Sequence, residues 1–174
     1  MEVVTQLANS ISVDASKIKI ECNQKASSDN ESVAKLLDGS KSSKWSSSFK
    51  PKETCVKMVL SEPIEFLGYN LVLGNDKPDR DPIEWRVRTK EKATLNVYED
   101  THKIEDYSPA KCERGSVQEF KMRTQRKVSE ISFHFDKVKK GDMIQLSQIV
   151  LIAVGNKSPN KMESVEIEVQ VAKV

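Results

Sequence analysis

IEFLGYNLVLGNDKPDRDPIEWRVRT, residues 64–89, holds two strand patterns and the polar loop that joins them. Ile64–Gly74 reads as a long, largely apolar strand. Glu84–Thr89 alternates, with Trp85 and Val87 set against Arg86 and Arg88. Between them, Asn75–Asp81 is a dense polar loop, and Asp81 ahead of Pro82 favours a turn. Outward from this unit the same period of two recurs. KIKIEC (Lys17–Cys22) places Ile18, Ile20 and Cys22 on one face. CVKMVL (Cys55–Leu60) does so with Val56, Met58 and Leu60. ATLNVY (Ala93–Tyr98) sets Leu95 and Val97 inward. VSEISFHFD (Val128–Asp136) buries Ile131, Phe133 and Phe135, with Ser132 and His134 outward. Met143–Val154 is another buried strand. Ser164–Val174 sets Val165, Ile167, Val169 and Val171 against Glu166, Glu168 and Gln170.

Such alternation means sheets with one wet face, and eight or so strands between polar loops indicate a sandwich or barrel. Helical signal is scarce. Asp29–Ser32 caps a turn or two over Val33–Leu37, and residues 4–10 are the other short candidate. The serine-dense Ser40–Ser48 contains Trp45, which a flexible linker does not carry, so it reads as a surface loop over a core edge. Asn156–Glu163 has linker composition.

The 174 residues hold 28 basic and 26 acidic side chains, a net charge of +2, with 37% apolar and 31% charged residues. Mean hydropathy is −0.53. That is polar but globular, and the near-balance of charge argues against a dedicated nucleic-acid protein. No apolar run is long enough for a membrane span, and the N-terminus lacks a secretory pattern, so the expected location is intracellular. Cys22, Cys55 and Cys112 are odd in number and widely spaced, which suits reduced thiols. Asn30 and Asn156 head N-x-S sequons, relevant only to a secreted chain.

Three segments, in order, resemble one family. Ala26–Trp45 resembles its small-residue loop, Asp-Gly turn and tryptophan. Leu67–Val87 resembles its strand, NDxPxRDPxxW loop and strand. Gly141–Ala153 is similar to its closing strand. Together they resemble the discoidin domain, also called the coagulation factor 5/8 type C domain, of the galactose-binding-like superfamily. The resemblance implies an all-β fold: an eight-stranded antiparallel jelly-roll sandwich with one or two short helices. It spans residues 17–154, leaving residues 1–16 as an N-terminal extension and 155–174 as linker and additional strand. It also implies a binding module acting through loops at one end of the sandwich, commonly an appendage of a larger protein.

The sequence departs from the secreted members of that family, which pair an early and a late cysteine, because no cysteine follows Cys112. The apolar spikes of membrane-binding members are absent too. Loop Ser46–Lys52 offers only Phe49 beside two lysines, a thin anchor.

Some relatives hold a structural Ca²⁺. Carried over, its ligands are Asp38, the Lys41 carbonyl, Ser43 and Gln148. The neutral Gln148 stands where the pattern prefers Glu, which weakens the site. The alternative is that Asp38 bonds its own turn while Gly39 supplies a positive φ. Candidate ligand-binding residues are Lys44, Phe49, Asn75, Asp76, Lys77, Asp79 and Arg80, because each sugar hydroxyl both donates and accepts. Arg80 and Asp81 equally match the element that braces the family loop. Trp45 and Trp85 are expected in the core. His102 falls in a charged loop, without a partner at ligand spacing. Lys137–Asp142 is a small basic cluster, with Arg123, Arg126 and Lys127 nearby in sequence, and reads most simply as a solvated hairpin.

No catalytic motif occurs. The expected function is a monomeric, non-catalytic carbohydrate-binding module. A protein-interaction or scaffold module on the same fold is the alternative, with Ser164–Val174 as a strand able to pair with a partner.

Overall fold

The computed structural model describes residues 9–155. The chain folds as a sandwich of antiparallel strands: β1 (Ser10–Ser12), β2 (Ile18–Cys22), β3 (Trp45–Ser48), β4 (Cys55–Val72), β5 (Pro82–Lys90), β6 (Val97–Lys103), β7 (Val117–Val138), β8 (Met143–Leu146) and β9 (Gln148–Val154). The larger sheet runs β1-β9-β4-β7-β5-β6, with β2 also on β4, and β3 pairs with β8 in a second sheet. Helical content among the described residues is confined to 3₁₀ turns at Ala15–Lys17, Asp29–Glu31, Val33–Leu37 and Pro78–Arg80. The two short segments read as Cys55–Leu60 and Ile64–Gly74 are one strand, β4. Its register against β7 shifts between Val59 and Ile64, around Pro63, and again at Leu67. Pro63 cannot donate to a ladder, so an irregularity there is expected. Before the first shift β4 pairs with β2, and after it with β9.

The inner faces meet over fully buried Trp45, Phe66, Tyr69, Trp85, Phe133 and Phe135. Several expectations are corrected. Trp45–Ser48 is a strand, not loop: Ser46 and Ser47 are buried and pair with Gln145 and Ile144. Their small hydroxyls are satisfied locally, Ser46 by Ser27 at 3.2 Å and Ser47 by the Ser48 carbonyl at 3.0 Å.

Leu95 and Val97 point outward, 65% and 59% exposed. The chain turns at 91–96 with Leu95 at φ 59, and β6 begins only at Val97. A one-residue slip flips a strand's faces, so Tyr98, Asp100 and His102 form the inner set. His102 therefore lies on a strand rather than in a loop.

The first half of β7 was hidden by its charge. Gln118, Phe120 and Met122 alternate inward there between exposed Glu119 and Lys121. It also separates the basic residues: Arg126 stacks on Tyr98 at 3.6 Å and Arg123 faces Asp100, far along β7 from Lys137. At the N-terminus, β1 pairs with β9, so the sheet begins ahead of the boundary placed at residue 17. The expected strand Ser164–Val174, the linker Asn156–Glu163 and most of the helical candidate 4–10 lie outside the described residues.

Candidate ligand-binding rim

The loop after β4 meets the loop before β3 at one end of the sandwich. Lys44 Nζ lies 2.5 Å from Asp76 Oδ1 and 3.8 Å from Glu31 Oε1. Arg80 Nη1 donates to Ser46 Oγ at 3.3 Å. The Lys44 hydrogen bond holds the Asp76 carboxyl below its ordinary pKa. From beneath, fully buried Gln145 donates Nε2 to the Asp76 carbonyl at 2.5 Å. This approach needs Gly74, where a Cβ would stand 2.5 Å from Gln145 Nε2.

Asp81 anchors the loop's far side. Its carboxylate is 0% exposed and accepts Arg114 Nη1 at 2.9 Å, Arg114 Nη2, and the Tyr107 hydroxyl at 2.6 Å. Arg114 also donates to the carbonyls of Gly74 at 3.2 Å, Asp76 at 3.3 Å and Cys112 at 3.0 Å. Burial and the Asp81 carboxylate push the Tyr107 phenol up. The β7–β8 turn joins the assembly: Lys139 N–H donates to the Asp81 carbonyl and Lys140 N–H to the Asp79 carbonyl, each at 2.9 Å.

Of the sequence candidates, Asn75, Asp76, Lys77 and Asp79 are exposed, and Arg80 and Lys44 are half-buried. Lys77 takes a left-handed conformation, φ 48, ahead of the Pro78–Arg80 turn. Phe49 does not belong to the rim. It is only 7% exposed within the core, and its N–H donates to the Asp142 carbonyl at 2.7 Å. Gln145, Tyr107 and Arg114 were missed. Arg114 and Tyr107 lie 33 and 26 residues from their partner Asp81, beyond any local spacing signal.

The Ca²⁺ donor set fits loosely. Asp38 accepts the Ser40 N–H at 2.9 Å and the Ser43 hydroxyl, with Gly39 at φ 75. The Lys41 carbonyl accepts from Ser147 Oγ at 3.3 Å. Gln148 has a buried amide nitrogen with no partner among the described residues. One carboxylate is a thin charge count for an ion that takes roughly 6–8 oxygens, and the described residues contain no cluster of three or more potential His, Cys, Asp or Glu ligands. The turn is closed by the protein's own donors.

A separate buried network runs beneath β6. Trp85 Nε1 donates to the Tyr69 oxygen at 2.6 Å, and the Tyr69 hydroxyl and His102 Nδ1 share a hydrogen bond. His102 Nε2 stands 3.9 Å from Asp100. Burial lowers the His102 pKa and pushes Tyr69 up. Tyr69 is 1% exposed, so this chain of groups braces the core.

The two-sheet frame and its loop-built end define the fold of a discoidin-like, galactose-binding-like jelly roll. No family model and no curated protein matches the chain by sequence. Among solved structures, the F5/8 type C domain of a Bacteroides fragilis protein superposes with a TM-score of 0.71 at 11% identity, covering 85% of this chain and 99% of that one. The family 32 carbohydrate-binding module of Clostridium perfringens NanJ, in complex with galactose, gives 0.65 at 8% identity, covering 82% and 98%. The lectin domain of lectinolysin, complexed with Lewis B antigen, gives 0.60 at 9%, covering 80% and 95%.

Proposed function

We propose that the chain is a non-catalytic carbohydrate-binding module whose ligand sits on the rim formed by Asn75, Lys77, Asp79 and Arg80. Lys44 and Asp76 hold the two loops together beside it. The observation that carries this reading is the Lys44–Asp76 contact, which makes one continuous polar surface from segments 32 residues apart. The reading is supported by the solved neighbours of this fold that hold galactose or Lewis B antigen. Amide, carboxylate and guanidinium groups together serve ligands whose hydroxyls donate and accept. A Ca²⁺ at Asp38 enters this proposal only as a weak structural ligand.

A glycan array followed by calorimetric titration of wild type and Arg80→Ala tests the reading. Binding that weakens about tenfold on loss of the guanidinium is expected. No saccharide bound at millimolar concentration refutes it.

The scaffold alternative draws on a different place. Leu95 and Val97 are exposed at the β5–β6 hairpin, at the end of β5 away from the rim. A partner held there loses binding on Leu95→Glu while sugar binding stays unchanged.

A further inference from the structure

We propose that the ligand carries an acidic group, a carboxylate or sulfate on a sugar ring, seated in a cleft beside the rim. This rests on the glycan reading above and adds a subsite built from residues outside the two loops. The cleft measures about 310 Å³, and its apolar surface comes from Pro78, Tyr107, Pro109 and Cys112. That size is at the small end for ligand pockets. A pyranose has an apolar C–H face, and a ring-and-proline floor of this kind suits it.

Charge decides the rest. Lys77 and Lys139 both line the cleft. Among the described residues neither has a carboxylate within 4.0 Å, in contrast to Lys44 and Arg114. The Lys139 ammonium stands 4.9 Å over the Tyr107 ring centroid. Backbone hydrogen bonds fix the main chain from which both side chains project. Lys139 N–H bonds the Asp81 carbonyl at 2.9 Å, and the Lys77 carbonyl accepts the Arg80 N–H at 3.0 Å. The Tyr107 ring is pinned through its hydroxyl to buried Asp81 at 2.6 Å.

The acidic groups on the wall offset this only in part, and Lys77 acts on Asp76 at longer range than Lys44 does. Asp76 is committed to Lys44, and Glu113 is the remaining carboxylate of the lining. The cleft thus offers an apolar floor between two lysines, neither of them in a direct ion pair among the described residues, and its lining holds three cations, Lys77, Arg114 and Lys139, against two carboxylates, Asp76 and Glu113. A neutral sugar offers these cations only hydroxyl acceptors, whereas an anionic substituent completes them with charge-assisted hydrogen bonds.

The test is calorimetric titration of the full chain with galactose, galacturonate and galactose 6-sulfate, at low and moderate salt, and with inorganic sulfate as control. We expect one or both acidic sugars to bind about tenfold or more tightly than galactose, with a preference that shrinks as salt rises. The acidic arm that binds best identifies the anion. Lys77→Gln and Lys139→Gln change exposed side chains, so both variants fold, and each cuts the acidic preference; Lys139→Gln, which lies outside the rim, leaves galactose affinity unchanged. Equal affinity for all three sugars, or a preference that survives the double variant, overturns the inference and leaves the glycan reading standing. Inorganic sulfate binding as tightly as its sugar ester overturns the sugar subsite. No saccharide bound in any arm refutes both readings.

Discussion

Replacing Arg114 with leucine tests the bracing of the rim directly. The guanidinium meets both oxygens of the fully buried Asp81 and three backbone carbonyls. Its removal strands a buried carboxylate with only the Tyr107 hydroxyl as side-chain donor. Breaking one side of a buried pair costs roughly 3–5 kcal/mol. Because the Arg114 side chain is 26% exposed, solvent replaces part of what is lost, and the lower end applies, about 3 kcal/mol. Against a native stability of roughly 5–15 kcal/mol that is a large share. In a domain of this size it lowers the melting temperature by about 6–12 °C. Urea denaturation of Arg114→Leu, Asp81→Asn and the double variant supplies the cycle. The double variant leaves no unpaired charge and therefore loses less than the sum of the singles, with a coupling of about 1.5 kcal/mol or more. Hydrogen exchange in the single variant rises over residues 74–80, where Arg114 holds the Gly74 and Asp76 carbonyls. A loss below about 1 kcal/mol, or single effects that add to within about 0.5 kcal/mol, refutes the argument.

Gly74→Ala drives a methyl into the fully buried Gln145 amide, whose displacement breaks its bond to the Asp76 carbonyl. The expected loss is about 1–3 kcal/mol by urea midpoint, and an unmoved midpoint removes the close-approach argument. Tyr69→Phe leaves the buried Trp85 indole N–H without its acceptor and costs about 1–3 kcal/mol; a thermally neutral variant contradicts the network. His102 has its pKa lowered by burial, so the unfolded chain binds the extra proton first. The stability this gives is complete above the unfolded value of about 6.5 and is lost as pH falls below it toward the folded value. His134 is shifted the same way, so His102→Asn removes only part of the slope between pH 7.5 and 5.5; an unchanged slope rejects a role for His102. At the Asp38 turn, millimolar Ca²⁺ and EDTA give melting temperatures that agree within a degree or so, since one carboxylate makes a weak site. A rise of several degrees with Ca²⁺ shows instead that the loop holds the ion.

The all-β fold was legible because apolar positions two apart recur in β2, β4, β5 and the second half of β7. It was illegible where packing overrides pattern. Ser46 and Ser47 look like loop residues, yet a tight two-stranded sheet accepts them because they are small and their hydroxyls find local partners. Leu95 and Val97 look like core residues, yet the turn's length decides which face β6 buries. At the rim, Asp76, Lys77 and Arg80 could be nominated from the loop's composition. Nothing in the sequence announced that Arg114 and Gln145 reach into that loop, because their partners are distant in the chain and bond largely through backbone oxygens.

That division of labour bears on how the rim works. The loop is held through its carbonyls by the buried Gln145 amide and the Arg114 guanidinium, so its exposed side chains do not carry its shape. On the proposed reading a ligand therefore pays little for ordering the loop, and its affinity depends on the groups displayed rather than on closure. The same arrangement separates stability from recognition. On the proposed reading, exchanging Lys77, Asp79 or Lys139 alters what is bound, whereas exchanging Gly74, Asp81 or Arg114 alters whether the surface exists. Acid also acts on the parts in sequence. The Asp76 carboxyl is held below its ordinary value by Lys44, so the contribution of that contact persists above the unfolded carboxylate pKa of about 3.9 and fades only as pH falls through the lower folded value. The unfolded chain takes up the His102 proton from about pH 6.5 downward, before the folded chain does. Between those ranges the fold loses the stability that neutral His102 gives while the Lys44–Asp76 contact stays charged, so mild acid lowers the melting temperature before it loosens the rim.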